Sequence, residues 1–185
     1  TADIACLDPS VDVVSHIATD NYQGGRLAAE ALVEAIGGKG KVAILDHPEV
    51  ESVLLRTKGF QERLAELNQD PEVDVEVVMV LPGGGDKAKS LKATQDLLQA
   101  HPDLDGIFAI NDPSALGAVA ALETAGRAGE VAIVGFDGQP EGLEAIQAGR
   151  IYADPIQFPD QIGVKTVETI MMFLEGQEVP KEILI

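Results

Sequence analysis

Residues 106–136 read GIFAINDPSALGAVAALETAGRAGEVAIVGF, and this stretch decides the fold class. Its two ends, GIFAI and VAIVGF, are almost entirely apolar, as is typical of parallel strands that are buried on both faces. Between them, Asp112 and Pro113 open a helix in the favoured order of a cap followed by a proline. The apolar face of that helix consists of Leu116, Val119 and Leu122. The stretch is therefore a strand–helix–strand unit with parallel strands.

The same alternation of strands and helices extends in both directions. Upstream, the runs ADIACL, VVSHIA, KVAILD and VDVEVVMVL predict strands, and IYADPI predicts the last strand downstream. The helix that begins after Asp20 is expected to turn inward the apolar residues Leu27, Ala31, Leu32, Ala35 and Ile36. A later helix is predicted over residues 160–174. We therefore predict an α/β fold, with a doubly wound, mainly parallel sheet and helices on both faces.

The composition excludes several classes of function. The 185 residues are 45% hydrophobic, which is enough for a core, and the net charge of −18 is opposite to that of a nucleic-acid-binding protein. The three histidines lie on different elements without a carboxylate or cysteine at ligand spacing, so no metal site is predicted. The segment PGGGD lacks the Gly-Lys-Ser/Thr ending of a phosphate loop. Since no nucleophile–base pair stands out either, we predict no cofactor and no catalytic activity.

The cysteine and the chain ends carry two further expectations. Cys6 lies in the apolar stretch IACL, which predicts a buried structural thiol, and as the single cysteine it cannot form an internal disulfide. The chain begins with a lone predicted strand that no helix follows and stops at the apolar tail EILI. Both ends therefore look cut from a larger molecule.

Four polar side chains each follow the end of a predicted strand. They are Arg56, Asn111, Asp137 and Gln157. Because ligands of open α/β sheets bind outside the carboxyl ends of the strands, these side chains are expected to surround one cleft and to hydrogen-bond a small polar molecule. Each residue also has a structural alternative. Arg56 would then be a surface arginine, Asn111 the cap of the next helix, Asp137 a turn residue and Gln157 a solvated glutamine.

Five motifs in order extend this interpretation to a family. The motifs SHIATDNYQGG, RTKGF, FAINDPSALGA, VGFDG and FPDQIG resemble those of the sugar-binding proteins of ribose-type ABC transporters. These are type 1 periplasmic binding proteins, and the effector cores of LacI-type regulators are their cousins. The resemblance implies one lobe of a two-lobe protein that closes over a monosaccharide, either a ribose-like pentose or a hexose. A LacI-type regulator stays an alternative, although the acidic chain and the FPDQIG motif favour the transporter.

The resemblance also implies a role for individual residues. Arg56 would fork onto two sugar oxygens, Asp137 would accept hydrogen bonds from two hydroxyls, and Asn111 and Gln157 would supply amides. Asp8 aligns with an aspartate of the N-terminal lobe that also meets the sugar. Two positions depart from the family pattern, since Pro9 replaces an arginine and Gly85 replaces an aromatic residue. The identity of the sugar therefore stays open.

The resemblance further implies a domain organisation. Residues 1–18 would belong to the N-terminal lobe and a hinge, 19–157 to the C-terminal lobe, and 158–185 to a helix and tail of the N-terminal lobe. A preceding segment of about a hundred residues, a typical domain length, would be absent. The implied partners are a monosaccharide, the permease subunits of the transporter and, as an open alternative, a chemoreceptor, but no nucleic acid. The implied location is periplasmic or extracytoplasmic.

Overall fold

The computed structural model describes residues 1–6 and 8–185, which form two compact units. The larger unit comprises Asn21–Ile156, and the smaller unit comprises Thr1–Asp20 together with Gln157–Ile185. The helices of the larger unit are α1 (Asn21–Ala35), α2 (Glu51–Leu67), α3 (Lys87–Ala100), α4 (Asp112–Thr124) and α5 (Pro140–Gln147). Its strands are β2 (Lys39–Asp46), β3 (Asp74–Pro82), β4 (Gly106–Ala109) and β5 (Ala132–Val134). The smaller unit contains β1 (His16–Ala18), α6 (Pro159–Leu174) and β6 (Glu182–Leu184).

The larger unit is built on a parallel sheet with the strand order β3-β2-β4-β5. Alternate residues of its central strands enter two different cores. Ile44 and Phe108 pack with residues of α1 and α2, whereas Leu45 and Ile107 pack with residues of α3 and α4. The helices therefore cover both faces of the sheet, which explains why the strands are continuously apolar. The predicted α/β, doubly wound fold is confirmed.

Two predicted strands are not formed. In the segment IYADPI, only isolated bridges occur, from Ala153 to Val134 and from Ile156 to Asp137. Pro155 lies between them and has no amide hydrogen for a continuous ladder. In the segment ADIACL, only Ala2 forms a bridge, and Leu7 lies outside the described residues.

The chain turns immediately after Ala2, which prevents the predicted N-terminal strand. Asp3 has a positive φ of 64°, and the amide of Ile4 donates to the carbonyl of Ala2 over 2.8 Å. Past this turn Ile4 is 67% exposed, and Cys6 is exposed as well. The prediction of a buried thiol is therefore wrong.

The buried face of α1 agrees with the predicted one only in part, since Leu32 is buried and Ala31 and Ile36 pack partly against the core. Leu27 is 47% exposed, and the buried face consists of Asn21, Gly24, Gly25, Ala28, Ala29, Leu32 and Val33. This face is set by the close approach of α2, because a Cβ on Gly25 would stand 2.0 Å from the carbonyl oxygen of Arg56. A Cβ on Gly59 would stand 2.1 Å from the carbonyl oxygen of Tyr22. Hydrophobic periodicity cannot find a face on which two backbones meet.

The smaller unit is a two-stranded parallel sheet with one helix. Strand β1 pairs with β6, so the apolar tail EILI contains a strand. Helix α6 buries Ile162 and Thr169. Four of its other apolar residues, Val167, Ile170, Met171 and Leu174, are each more than half exposed, and we call these four residues the α6 stripe. Within the described part of the chain, no helix has both the length and the apolarity to cross a membrane.

Candidate functional site at the carboxyl edge of the sheet

Three of the predicted site residues follow neighbouring strands of the larger unit. Arg56 lies on α2, which follows β2, while Asn111 follows β4 and Asp137 follows β5. Since β2, β4 and β5 are adjacent and parallel, their carboxyl ends form one edge of the sheet. Asp46 at the end of β2 accepts a hydrogen bond from the hydroxyl of Thr57 over 2.8 Å, which ties α2 to this edge.

Arg56 is an interior residue with a dense set of contacts. Its Nη1 donates to the Oδ1 of Asp137 over 2.8 Å and to the carbonyl of Ile110 over 2.7 Å. Its Nε donates to the Oδ1 of Asn21 over 2.8 Å, and its guanidinium carbon lies 3.8 Å from the ring centroid of Phe136. The side chains of Arg56 and Asp137 are 6% and 13% exposed. The alternative of a surface arginine is therefore wrong. The charge of Arg56 is balanced by the mostly buried carboxylate of Asp137.

Asp137 sits on a strained turn after β5. Its φ is +114°, a conformation that costs a non-glycine residue about 1–3 kcal/mol. Its Oδ2 accepts a hydrogen bond from the side-chain amide of Gln139 over 3.2 Å. The next residue must be glycine, since Gly138 also has a positive φ of 77° and an added Cβ would stand 2.5 Å from Ile156. The turn thus presents the Asp137 carboxylate in one fixed orientation.

Asn111, not Asp112, caps helix α4. The Oδ1 of Asn111 accepts the amide hydrogen of Ser114 over 3.0 Å, and its Nδ2 donates to the carbonyl of Gly85 over 3.2 Å. The prediction that Asp112 caps the helix is therefore wrong, and the structural alternative for Asn111 is correct. Capping leaves the Asn111 amide at the same edge as Arg56 and Asp137, so it does not conflict with a role in binding.

The ring of His47 lies beside Gly85, the position at which the family resemblance implies an aromatic side chain. A Cβ on Gly85 would stand 3.1 Å from the Nδ2 of Asn111 and 3.3 Å from the Nδ1 of His47. His47 directly follows β2, and its Nε2 lies 3.3 Å from a carboxylate oxygen of Glu49. Sequence reasoning set His47 aside as one of three scattered histidines. Its position after a strand end was the signal that could have found it.

Two further acids near Asp137 were also missed. Asp112 is fully buried at the start of α4, and Asp154 lies in the segment that bridges to β5. Burial and the carboxylate of Asp112 raise the pKa of Asp154 to about 8, and burial raises the pKa of Asp112. No hydrophobic pattern announces a buried acid pair, so the sequence offered no signal for it.

The other two predicted site residues belong to the smaller unit. Asp8 is exposed, and its Oδ1 accepts hydrogen bonds from the hydroxyl and the amide of Ser10 over 2.7 and 2.9 Å, which lower its pKa. Gln157 is half-buried and accepts a hydrogen bond from the hydroxyl of Thr19 over 2.8 Å. It follows an isolated bridge instead of the predicted strand. The roles of Asp8 and Gln157 in binding stay predictions.

The cluster at the sheet edge is suited to hydrogen bonding. Arg56 and Asn111 bring N–H donors, and Asp137 brings carboxylate acceptors, while Phe136 covers one face of the guanidinium. Within residues 1–6 and 8–185, no group of three or more potential metal ligands is found. The arrangement therefore favours recognition of a neutral molecule that carries several hydroxyls.

Comparison with known proteins extends this picture. The family profile of the periplasmic binding protein domain matches residues 2–178. The ribose import binding protein RbsB of Salmonella typhimurium is 42% identical over 169 residues, which cover 91% of this chain and 55% of the relative. The chain thus spans little more than half the length of that protein.

Solved structures agree with the sequence relatives. An ABC transporter periplasmic solute-binding protein from Actinobacillus succinogenes with bound D-allose is 35% identical, with a TM-score of 0.86, and the match covers 92% of this chain and 59% of that protein. The glucose-galactose binding protein GanP of Geobacillus stearothermophilus is 27% identical, with a TM-score of 0.88, and the match covers 98% and 63%. The resemblance inferred from the five motifs is confirmed, and the chain belongs to the periplasmic binding protein domain family.

Proposed function

We propose that this chain is the C-terminal portion of a solute-binding protein of an ABC transporter and that it binds a monosaccharide. The observation that carries the proposal is the buried Arg56–Asp137 pair at the carboxyl edge of the sheet, with Asn111 beside it. The names of the relatives support it, since RbsB is a ribose import binding protein and the Actinobacillus structure contains D-allose.

The electrostatics of the pair favour a sugar over a charged solute. The positive charge of Arg56 is neutralised by Asp137 at 2.8 Å, so the guanidinium is not available as the counter-charge of an anionic solute. A sugar hydroxyl can donate to a carboxylate and accept from a guanidinium at once, and such charge-assisted hydrogen bonds are the strong ones. The chemistry ends at binding, and the sugar leaves unchanged.

In this proposal the C-terminal lobe comprises residues 19–157 and so includes the larger unit, Asn21–Ile156, while segments 1–18 and 158–185 belong to the N-terminal lobe. The proposal keeps Asp8 and Gln157 as further ligand-binding residues. Because the chain spans 55% of RbsB, a further segment of the N-terminal lobe is part of the proposal. The partners would be permease subunits and, in a finer version, a chemoreceptor, in a periplasmic or extracytoplasmic location. Because these relatives are transport binding proteins, a LacI-type regulator is not favoured.

The test is calorimetric titration of the full-length protein that contains this chain with ribose, allose, galactose and fructose. Replacing Asp137 by Asn removes a charged acceptor, and we expect affinity for the bound sugar to fall about 10- to 100-fold, as for one charge-assisted hydrogen bond. The control is Asp103→Asn, because Asp103 is an exposed acid that pairs with Lys41 at the other edge of the sheet. The proposal is wrong if no sugar binds, or if both variants bind with wild-type affinity.

A further inference from the structure

Two acids that the proposed function does not use, the buried Asp112 and the half-buried Asp154, hold the turn that carries Asp137. The backbone amide of Gly138 donates to the Oδ2 of Asp154 over 3.0 Å. The next amide, that of Gln139, donates to the Oδ2 of Asp112 over 2.6 Å. Two consecutive N–H groups of one turn are therefore fixed by two different carboxyl groups. This turn is also the strained one, with a φ of +114° at Asp137.

The second carboxyl oxygen of each acid, its Oδ1, receives no hydrogen bond from the described residues. Among the described residues, the Oδ1 atoms of Asp112 and Asp154 are buried and have no hydrogen-bond partner. A Cβ on Gly135 would lie 3.3 Å from the Oδ1 of Asp154 and 3.5 Å from that of Asp112, so both oxygens border the same small space. Two buried acceptors at such a place can be satisfied together if one carboxyl keeps its proton and donates it to the other.

The surrounding charges agree with one retained proton. Asp112 stands at the N-terminus of α4, where the helix dipole favours a carboxylate, so the proton belongs on Asp154. The pKa of Asp154 is raised to about 8 by burial and by the neighbouring Asp112. The third acid that faces the pair is Asp137, which raises both pKa values although it is paired with Arg56 from α2. On helix α5, Gly142 lies against Asp112, since a Cβ there would stand 2.0 Å from the Oδ1 of Asp112.

We propose that Asp112 and Asp154 share one proton and act as positioning residues that hold the 138–139 amides, so that loss of this proton loosens the Asp137 turn and weakens ligand binding. The part of this inference that concerns binding rests on the proposed function. The part that concerns the shared proton stands on the geometry of the turn alone.

The pH dependence has a defined sign. A carboxyl group whose native pKa is about 8 and whose ordinary pKa is 3.8 keeps its proton in the folded protein while the unfolded chain has lost it. Between these two pH values the free energy of unfolding therefore falls as the pH rises, and above about pH 8 this contribution levels off. In that upper range two adjacent carboxylates and Asp137 repel one another beneath the turn.

The test uses Asp154→Asn, which imitates the protonated acid permanently. The Asn amide can donate to the Oδ1 of Asp112 while its oxygen accepts from Gly138. We expect the melting temperature of the wild type to fall between pH 5 and pH 9 and that of Asp154→Asn to fall less, with the variant more stable at pH 9. In the full-length protein, sugar affinity of the wild type should weaken about tenfold over pH 7–9, as one lost charge-assisted hydrogen bond would do, and that of the variant should stay constant. Asp103→Asn, the exposed control, should follow the wild type in both profiles.

The outcomes separate this inference from the proposed function. Parallel melting profiles for the wild type and Asp154→Asn would overturn the shared proton, whether or not any sugar binds. A flattened melting profile with an unchanged pH dependence of affinity would overturn the positioning role. If Asp154→Asn fails to fold, carboxyl 13C resonances of the wild type decide instead, since the shared proton requires one aspartate signal that titrates near pH 8.

Discussion

The two units of this chain differ in how completely their apolar side chains are buried. In the larger unit, a four-stranded sheet is covered on both faces, and its central strands are buried residue after residue. In the smaller unit, two strands of three residues pair with each other, and α6 carries the exposed α6 stripe. A two-stranded sheet is marginal by itself, because it has little apolar area to bury.

The difference teaches where structure and chemistry are concentrated. The larger unit contains its own core and holds Arg56, Asn111 and Asp137 at one sheet edge by hydrogen bonds within that unit. The smaller unit leaves much of its apolar surface exposed, including the α6 stripe. Equivalent substitutions in the two units should therefore have unequal effects.

The largest difference is expected for charged pairs. Arg56→Met would leave the Asp137 carboxylate buried without its partner and should lower the free energy of unfolding by about 3–5 kcal/mol. Lys181→Met removes the exposed ion pair with Asp12 in the smaller unit and should change the free energy of unfolding by less than about 1 kcal/mol. Urea unfolding followed by circular dichroism measures both. Equal effects would mean that the Arg56 pair is as solvated as the surface pair.

The next difference is expected for leucines. Leu45 is fully buried in the larger unit, so Leu45→Ala should destabilise the protein by about 2–5 kcal/mol through lost burial and a cavity. Leu174 of the α6 stripe is 73% exposed, so Leu174→Ala should change the free energy of unfolding by no more than about 0.5 kcal/mol. The same unfolding curves measure the pair, and a loss above 2 kcal/mol for Leu174→Ala would reveal that the stripe is covered in solution.

A smaller difference, of opposite sign, is expected for helical glycines. Gly25→Ala would force α1 away from the Arg56 carbonyl, which stands 2.0 Å from the new Cβ, and should cost about 1–3 kcal/mol. Gly163→Ala on α6 meets no atom within 4 Å and should stabilise the protein by about 0.5–1 kcal/mol, since alanine is the better helix former. Melting temperatures should move in opposite directions, and a stable Gly25→Ala variant would show that the two helices can separate freely.

The contrast between the two units also explains which structural features could be predicted from the sequence and which could not. The strands GIFAI and VAIVGF were predictable because burial on both faces leaves a continuous apolar run, whereas VDVEVVMVL forms an edge strand that is mostly exposed or half-buried. The placement of Arg56, Asn111 and Asp137 at one edge of the sheet was predictable because each follows a parallel strand, while their role in binding stays a prediction. Three features depended on packing that no local pattern encodes: the glycine face of α1, the Asp112–Asp154 pair, and the failure of IYADPI to form a strand around Pro155.

The central claim, that the carboxyl edge of the larger sheet binds a sugar, is tested most directly by NMR. The 15N-labelled 185-residue chain is titrated with ribose and allose, and amide shifts are followed at both sheet edges. We expect saturable shifts at Gly138, Gln139 and Asn111, with a dissociation constant no tighter than about millimolar because one lobe supplies few contacts. The amides of Lys41 and Asp105 at the amino edge should not move. Shifts confined to that amino edge, or no shifts at any sugar concentration, would contradict the account.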